Sequence, residues 1–175
     1  MSQQGHARTI LGGGFLWQGR FIHPDGSVIE LPPTPNLLPQ QFIDYVAELL
    51  RATEMPVANW YLGLFENNYV PVAGVSAADL QTTIGESQAY ASATRPLWNH
   101  SYDGTGAIDN LASKVQFTVT QDKTFYGSFI CSSSVKGSNN GILASIVRFP
   151  TPQTLPAGAK LEFAAGLTLT PTTII

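Results

Sequence analysis

Charge is what this chain has least of. Of its 175 residues, 12% are Asp, Glu, Lys or Arg, about half the roughly 25% found in soluble domains. Repulsion between copies is therefore weak, and part of the surface is expected to be covered by neighbours. The nine Lys and Arg are scattered and the net charge is −3, so no basic stripe marks a nucleic-acid face. A single cysteine, Cys131, excludes an intrachain disulfide framework and a thiolate metal cluster. It sits in an apolar run, FYGSFICSS, where a small core thiol is expected. No apolar stretch approaches a membrane span, and MSQQGHARTI is too polar to read as a secretory leader. Synthesis in a cytoplasm without membrane contact is the expectation.

Catalytic signatures are equally sparse. No G-x-S-x-G elbow accompanies the many serines, and the GGG at 12–14 lacks the Gly-Lys-Ser/Thr ending of a phosphate loop. Of His6, His23 and His100, only His100 has acids close by, in WNHSYDGTGAID. The spacing of His100, Asp103 and Asp109 fits no strong metal-ligand motif, and a turn in which Asp103 bonds its own backbone is the expected state. Glu66, Glu86, Asp103 and Asp109 are candidate acids for glycoside hydrolysis, but nothing in the sequence brings two of them to one sugar bond. The expectation is a non-enzyme with no cofactor and no metal.

What is present reads as β-structure around one core, a length of chain suited to a single domain. From Lys114 to Thr172 the sequence is a series of strands separated by Gly, Asn, Ser and Pro turns. Residues 1–35 read as an extended N-terminal arm. It holds a hairpin turning at Pro24-Asp25-Gly26 and a stiff PPTP linker at 32–35. Residues 36–175 form the β-domain. Asn36 to Thr53 has helical spacing, with Asn36 as cap and Phe42, Ile43, Val46, Leu49 and Leu50 apolar. A strand follows in NWYLGLFEN, then a capping-box start at Ser76–Asp79. Residues 85–110 read as a long polar excursion over the surface. The expected fold is mainly β, an antiparallel sandwich or partly open barrel with one covering helix and the arm.

Two residue sets carry the functional expectation. Phe15, Trp17, Phe21 and Ile22 in the arm, with Ile174 and Ile175 at the end of the chain, are expected to dock on neighbouring subunits. Deleting residues 1–31 is then expected to leave a folded domain that assembles poorly. Glu86, Tyr90, Arg95 and Trp98 are expected to pin the polar excursion or meet another subunit, with Arg95 bridging Glu86 or Asp103 through two hydrogen bonds. Tyr90, Trp98 and Tyr102 also suit a glycan-binding module.

The segments WYLGLFENNYVPVAGVSAADL, ESQAYASATRPLW and TFYGSFICSSSVKGSNNGILASIVRFPTPQTLPAGAKLEFAAGLTLT resemble small structural proteins of tailed bacteriophages over roughly residues 36–170. The resemblance rests on Tyr61–Leu64, Ser76–Asp79, Tyr90–Arg95, Arg148-Phe149 and Pro156-x-Gly158. It implies a virion structural protein assembled in the host cytoplasm, foremost a capsid decoration or cement protein. Its partners would be the major capsid protein and other virion proteins, with homo-oligomeric packing. A tail, neck or baseplate role is the alternative.

Overall fold

Side chains two residues apart in a strand share a face, and Phe15, Trp17 and Phe21 obey that spacing. In the computed structural model, which describes residues 13–169, all three are buried in the chain's own core. They lie on β1 (Gly13–Ile22), which turns into β2 (Val28–Pro35). The turn forms where expected: Asp25 accepts hydrogen bonds from the backbone N–H and the hydroxyl of Ser27, and Gly26 takes φ 87°. The helix α1 (Gln40–Leu50) and strand β3 (Tyr61–Phe65) come next. Short strands β4 (Ser101–Tyr102) and β5 (Ala107–Asp109) precede β6 (Val115–Thr118) and β7 (Lys123–Cys131). The series ends with β8 (Leu143–Leu155) and β9 (Lys160–Leu169).

These strands make a mainly β structure of two antiparallel sheets and, among the described residues, one α-helix. The first sheet runs β2-β1-β9-β5-β4, with β6 also on β9. β1 pairs with β9 along its full length, Gly13 opposite Leu169 through Ile22 opposite Lys160. The far edge of β9 takes β6 along its first half and β5 near its end. The second sheet is β3-β7-β8. Its pairing slips between Phe125 and Gly127, where a Cβ on Gly127 would collide with the Val147 carbonyl and the Phe65 ring. Rings from both sheets meet in the core. Phe21 packs edge-on to Phe149 at 5.4 Å, and Phe149 stacks on Phe163 at 5.5 Å.

Three expectations change. Residues 13–35 are not an arm: β1 is an interior strand bonded on both edges, so its aromatics are committed to the fold. The part of the expected arm before residue 13, together with Ile174 and Ile175, lies outside the described residues. The helix begins at Gln40 and ends at Leu50 rather than spanning 36–53. Leu37 exchanges two backbone hydrogen bonds with Ile146 and is thereby held extended, and Leu38, preceding Pro39, is disfavoured from helical geometry. Asn36 does not cap the helix. Its side chain accepts from the Phe15 N–H at 2.8 Å and donates to Ser145 Oγ at 2.7 Å, while Trp17 Nε1 donates to the same oxygen.

Candidate functional site

The polar excursion runs over the surface where residues 91–94 and 99–105 are exposed, and it is anchored in the fold at intervals. Ser87, Ala89, Tyr90, Arg95, Trp98 and Asn110 are all buried, and two polar nodes hold them.

The first node is Glu86 with Arg95, side chains with no solvent exposure. Arg95 Nε donates to Glu86 Oε1 and Nη2 to Oε2, both at 2.7 Å, a bidentate pair. The remaining guanidinium hydrogens go to the Ser138 carbonyl at 2.6 Å, the Ser133 carbonyl at 2.9 Å and Cys131 Sγ at 3.0 Å. A guanidinium has five N–H donors, so none is left for a ligand. Glu86 Oε2 accepts further bonds from Gln81 Nε2 and the Gly137 N–H. Burial opposes the Arg95 charge, but the Glu86 hydrogen bond and the Cys131, Glu86 and Tyr90 groups beside it hold its pKa above the ordinary value. The pair therefore ties residues 86–95 to the loop after β7. Lys136 adds a second tie, donating to the carbonyls of Gln88, Tyr90 and Ser92 while its ammonium stands 4.0 Å from the Tyr90 ring centre. Tyr90 itself packs edge-on to Phe117 at 4.9 Å. Its hydroxyl has no hydrogen-bond partner among the described residues, and burial raises its pKa.

Cys131 belongs to this node. Its thiol donates to the Ser133 carbonyl, and burial pushes its pKa up to about 11 despite Arg95. A thiol that stays protonated is a poor nucleophile. Ellman's reagent at mildly alkaline pH should consequently label Cys131 only after denaturant is added; rapid labelling of the native protein would contradict this burial.

The second node is built on Trp98, whose indole N–H donates to Asn110 Oδ1 and the Ala165 carbonyl, both at 3.1 Å. Asn110 Oδ1 also accepts from the Ala165 N–H. The structure thus separates the expected glycan-binding aromatics: Tyr90 and Trp98 are buried at different nodes and Tyr102 is exposed on β4. The candidate acids are dispersed as well. Glu66 pairs with Lys123, Asp103 accepts from Thr105 and Ala107 within its own turn, and Asp109 accepts from the Leu111 N–H. No cluster of three or more His, Cys, Asp or Glu suited to a metal ion occurs among the described residues.

The remaining feature is the outer surface of α1. Phe42, Tyr45 and Leu49 recur at helical spacing and form the inner face, where Phe42 and Tyr45 meet Trp60 at 5.8 and 5.7 Å. Gln41 stitches this side down, accepting from the N–H groups of Ala77 and Leu143 and donating to the Gly141 carbonyl. Ile43, Val46 and Leu50 recur at the same spacing on a second face, exposed by 47%, 37% and 81%, and Met55 beyond the helix is 78% exposed. The polar arc is confined to Gln40, Asp44, Glu48 and Arg51, with Gln40 bonded to Asp44 and Arg51 to Glu48. The apolar arc is therefore wider than the part the sheets cover. Sequence reasoning grouped all five apolar helix positions together; splitting them at i, i+3 and i+7 separates the two faces. No family model, curated protein or solved structure matches the chain.

Proposed function

We propose that this chain is a virion structural protein of a tailed bacteriophage that acts by subunit contact, foremost as a capsid decoration or cement protein. The observation that carries the reading is the second apolar face of α1. A helix in a self-sufficient domain needs one apolar stripe against its own core and a polar remainder; here Ile43, Val46 and Leu50 form another stripe, and Met55 beyond the helix is exposed as well. Contiguous exposed apolar area of this kind marks protein contact surfaces. The chain's low charge and the resemblance of residues 36–170 to small phage structural proteins support the same reading.

In this reading the two facing sheets are the layers of an antiparallel β-sandwich, closed along one side by α1. The sandwich presents the helix to the major capsid protein or to another copy of this chain. The contact role first assigned to Phe15, Trp17 and Phe21 passes to Ile43, Val46 and Leu50, because the former are interior. Repetition over many symmetric copies makes weak individual contacts sufficient through local concentration.

Ile43→Asp with Leu50→Glu tests the assignment. Both positions are exposed, and surface changes of this kind alter stability by about 0.5 kcal/mol or less, so the thermal midpoint should barely move. Occupancy on purified particles, read by quantitative mass spectrometry and by imaging, should fall at least ten-fold. Wild-type occupancy by the double variant sinks the helix assignment, and localisation to the tail, neck or baseplate replaces the head reading.

A further inference from the structure

Beneath the inner face of α1 lies a cavity of about 130 Å3 that none of the contacts above uses. Phe15, Trp98 and Ala144, all buried, line its depth, and the half-buried Phe42, Trp60 and Ile108 stand nearer the surface. His100 is the polar side chain on the wall. It is exposed, and its ring centre lies 4.4 Å from that of Trp98. We infer that this cavity binds a single six-membered aromatic ring carrying a hydroxyl, with the ring against the tryptophans and the hydroxyl at His100. This inference is independent of the assembly reading, which uses the neighbouring outer face of the helix, Ile43, Val46 and Leu50, none of which lines the cavity.

Size, wall chemistry and polarity each narrow the guest. An apolar cavity of about 150 Å3 engineered in another protein accommodates benzene, so a cavity of about 130 Å3 suits one ring rather than a fused pair or a chain. The walls present aromatic faces and edges at different inclinations. Phe15 and Trp98 are tilted by 59° at 5.5 Å, and Phe42 and Trp60 by 82° at 5.8 Å. A planar guest gains edge-to-face contacts from such walls, whereas an aliphatic ring of equal size gains only its buried area. A sugar fits poorly, because hydroxyls around its perimeter would be buried against apolar side chains without partners. One hydroxyl directed to the rim meets the imidazole, which donates or accepts according to its tautomer.

Phenol is the probe, titrated into the full-length protein while Trp60 and Trp98 fluorescence is followed. Saturable quenching with half-saturation on the order of 1 mM is expected, as suits a guest of so few atoms. Nuclear Overhauser contacts should connect phenol protons to the indoles of both tryptophans. Cyclohexanol should bind at least ten-fold more weakly, and His100→Ala should bring phenol down to the affinity of toluene. Ala144→Leu, which fills the depth, should abolish binding. Because that variant risks misfolding, Ile108→Trp near the surface provides a second block, and the wild-type contacts stand without either variant. Linear quenching, contacts to protons elsewhere on the surface, or equal binding of cyclohexanol would each overturn the inference.

Discussion

A chain lacking residues 1–31 is expected to aggregate or remain unfolded, with no cooperative thermal transition. The deletion removes all of β1 and the first half of β2, and β1 lies between β2 and β9 with backbone hydrogen bonds to both. Three effects add. Phe15, Trp17 and Phe21 leave the core, and truncating even one buried Phe or Trp costs about 3–5 kcal/mol. Ten residues of β9 lose their pairing along one edge, exposing a strand that alternates Leu161, Phe163 and Ala165 inward. Ser145 loses the Trp17 indole, and Asn36 loses the Phe15 N–H. A domain is stabilised by only about 5–15 kcal/mol in total, so the aromatic losses alone exhaust it. Circular dichroism melts and gel filtration decide the matter. A monomeric truncation with a sharp transition would show that β1 is dispensable and return it to the role of a docking arm.

That reversal shows which parts of the fold the sequence exposes. The hairpin at Pro24-Asp25-Gly26 is legible because its determinants are local: an aspartate that bonds Ser27 and a glycine at positive φ. The placement of the hairpin is not local. Gly13 meets Leu169 and Ile22 meets Lys160, pairings that span well over a hundred residues and leave no short-range mark. A clue did exist in the spacing of Phe15, Trp17 and Phe21, which is the two-residue period of a strand with one face buried. The start of α1 was obscured similarly, since Asn36 and Leu37 satisfy helix-start patterns but are claimed by Phe15, Ser145 and Ile146. At the buried node, Glu86 and Arg95 are close enough in sequence to suggest a bridge. The Cys131 sulfur comes from the end of β7 and the carbonyls of Ser133 and Ser138 from the loop after it, some forty residues later, and only the fold assembles them.

The same node yields the other large expected effect: Arg95→Ala should lower stability by about 3–5 kcal/mol, the cost of leaving one member of a buried ion pair alone. For a chain of this length each kcal/mol moves the thermal midpoint by about 2–4 °C, so a fall of at least several degrees is expected. Glu86→Ala should be comparable, because it leaves a buried guanidinium without its counter-charge. Replacing both partners by Met distinguishes a dispensable pair from an organising one. In many proteins such a double replacement is neutral or stabilising by about 1–4 kcal/mol, since two desolvation penalties disappear together. Here the pair also satisfies the Ser133 and Ser138 carbonyls, the Gly137 N–H and the Gln81 amide. Apolar side chains would strip partners from those half-buried groups, at a cost of up to about 1–3 kcal/mol each where water does not reach them. The double variant should therefore remain clearly less stable than wild type in denaturant titrations. Hydrogen exchange should accelerate selectively at residues 86–95 and 132–138, the two segments that the pair joins. A double variant as stable as wild type, with exchange unchanged in both segments, would mean that packing alone holds them in place.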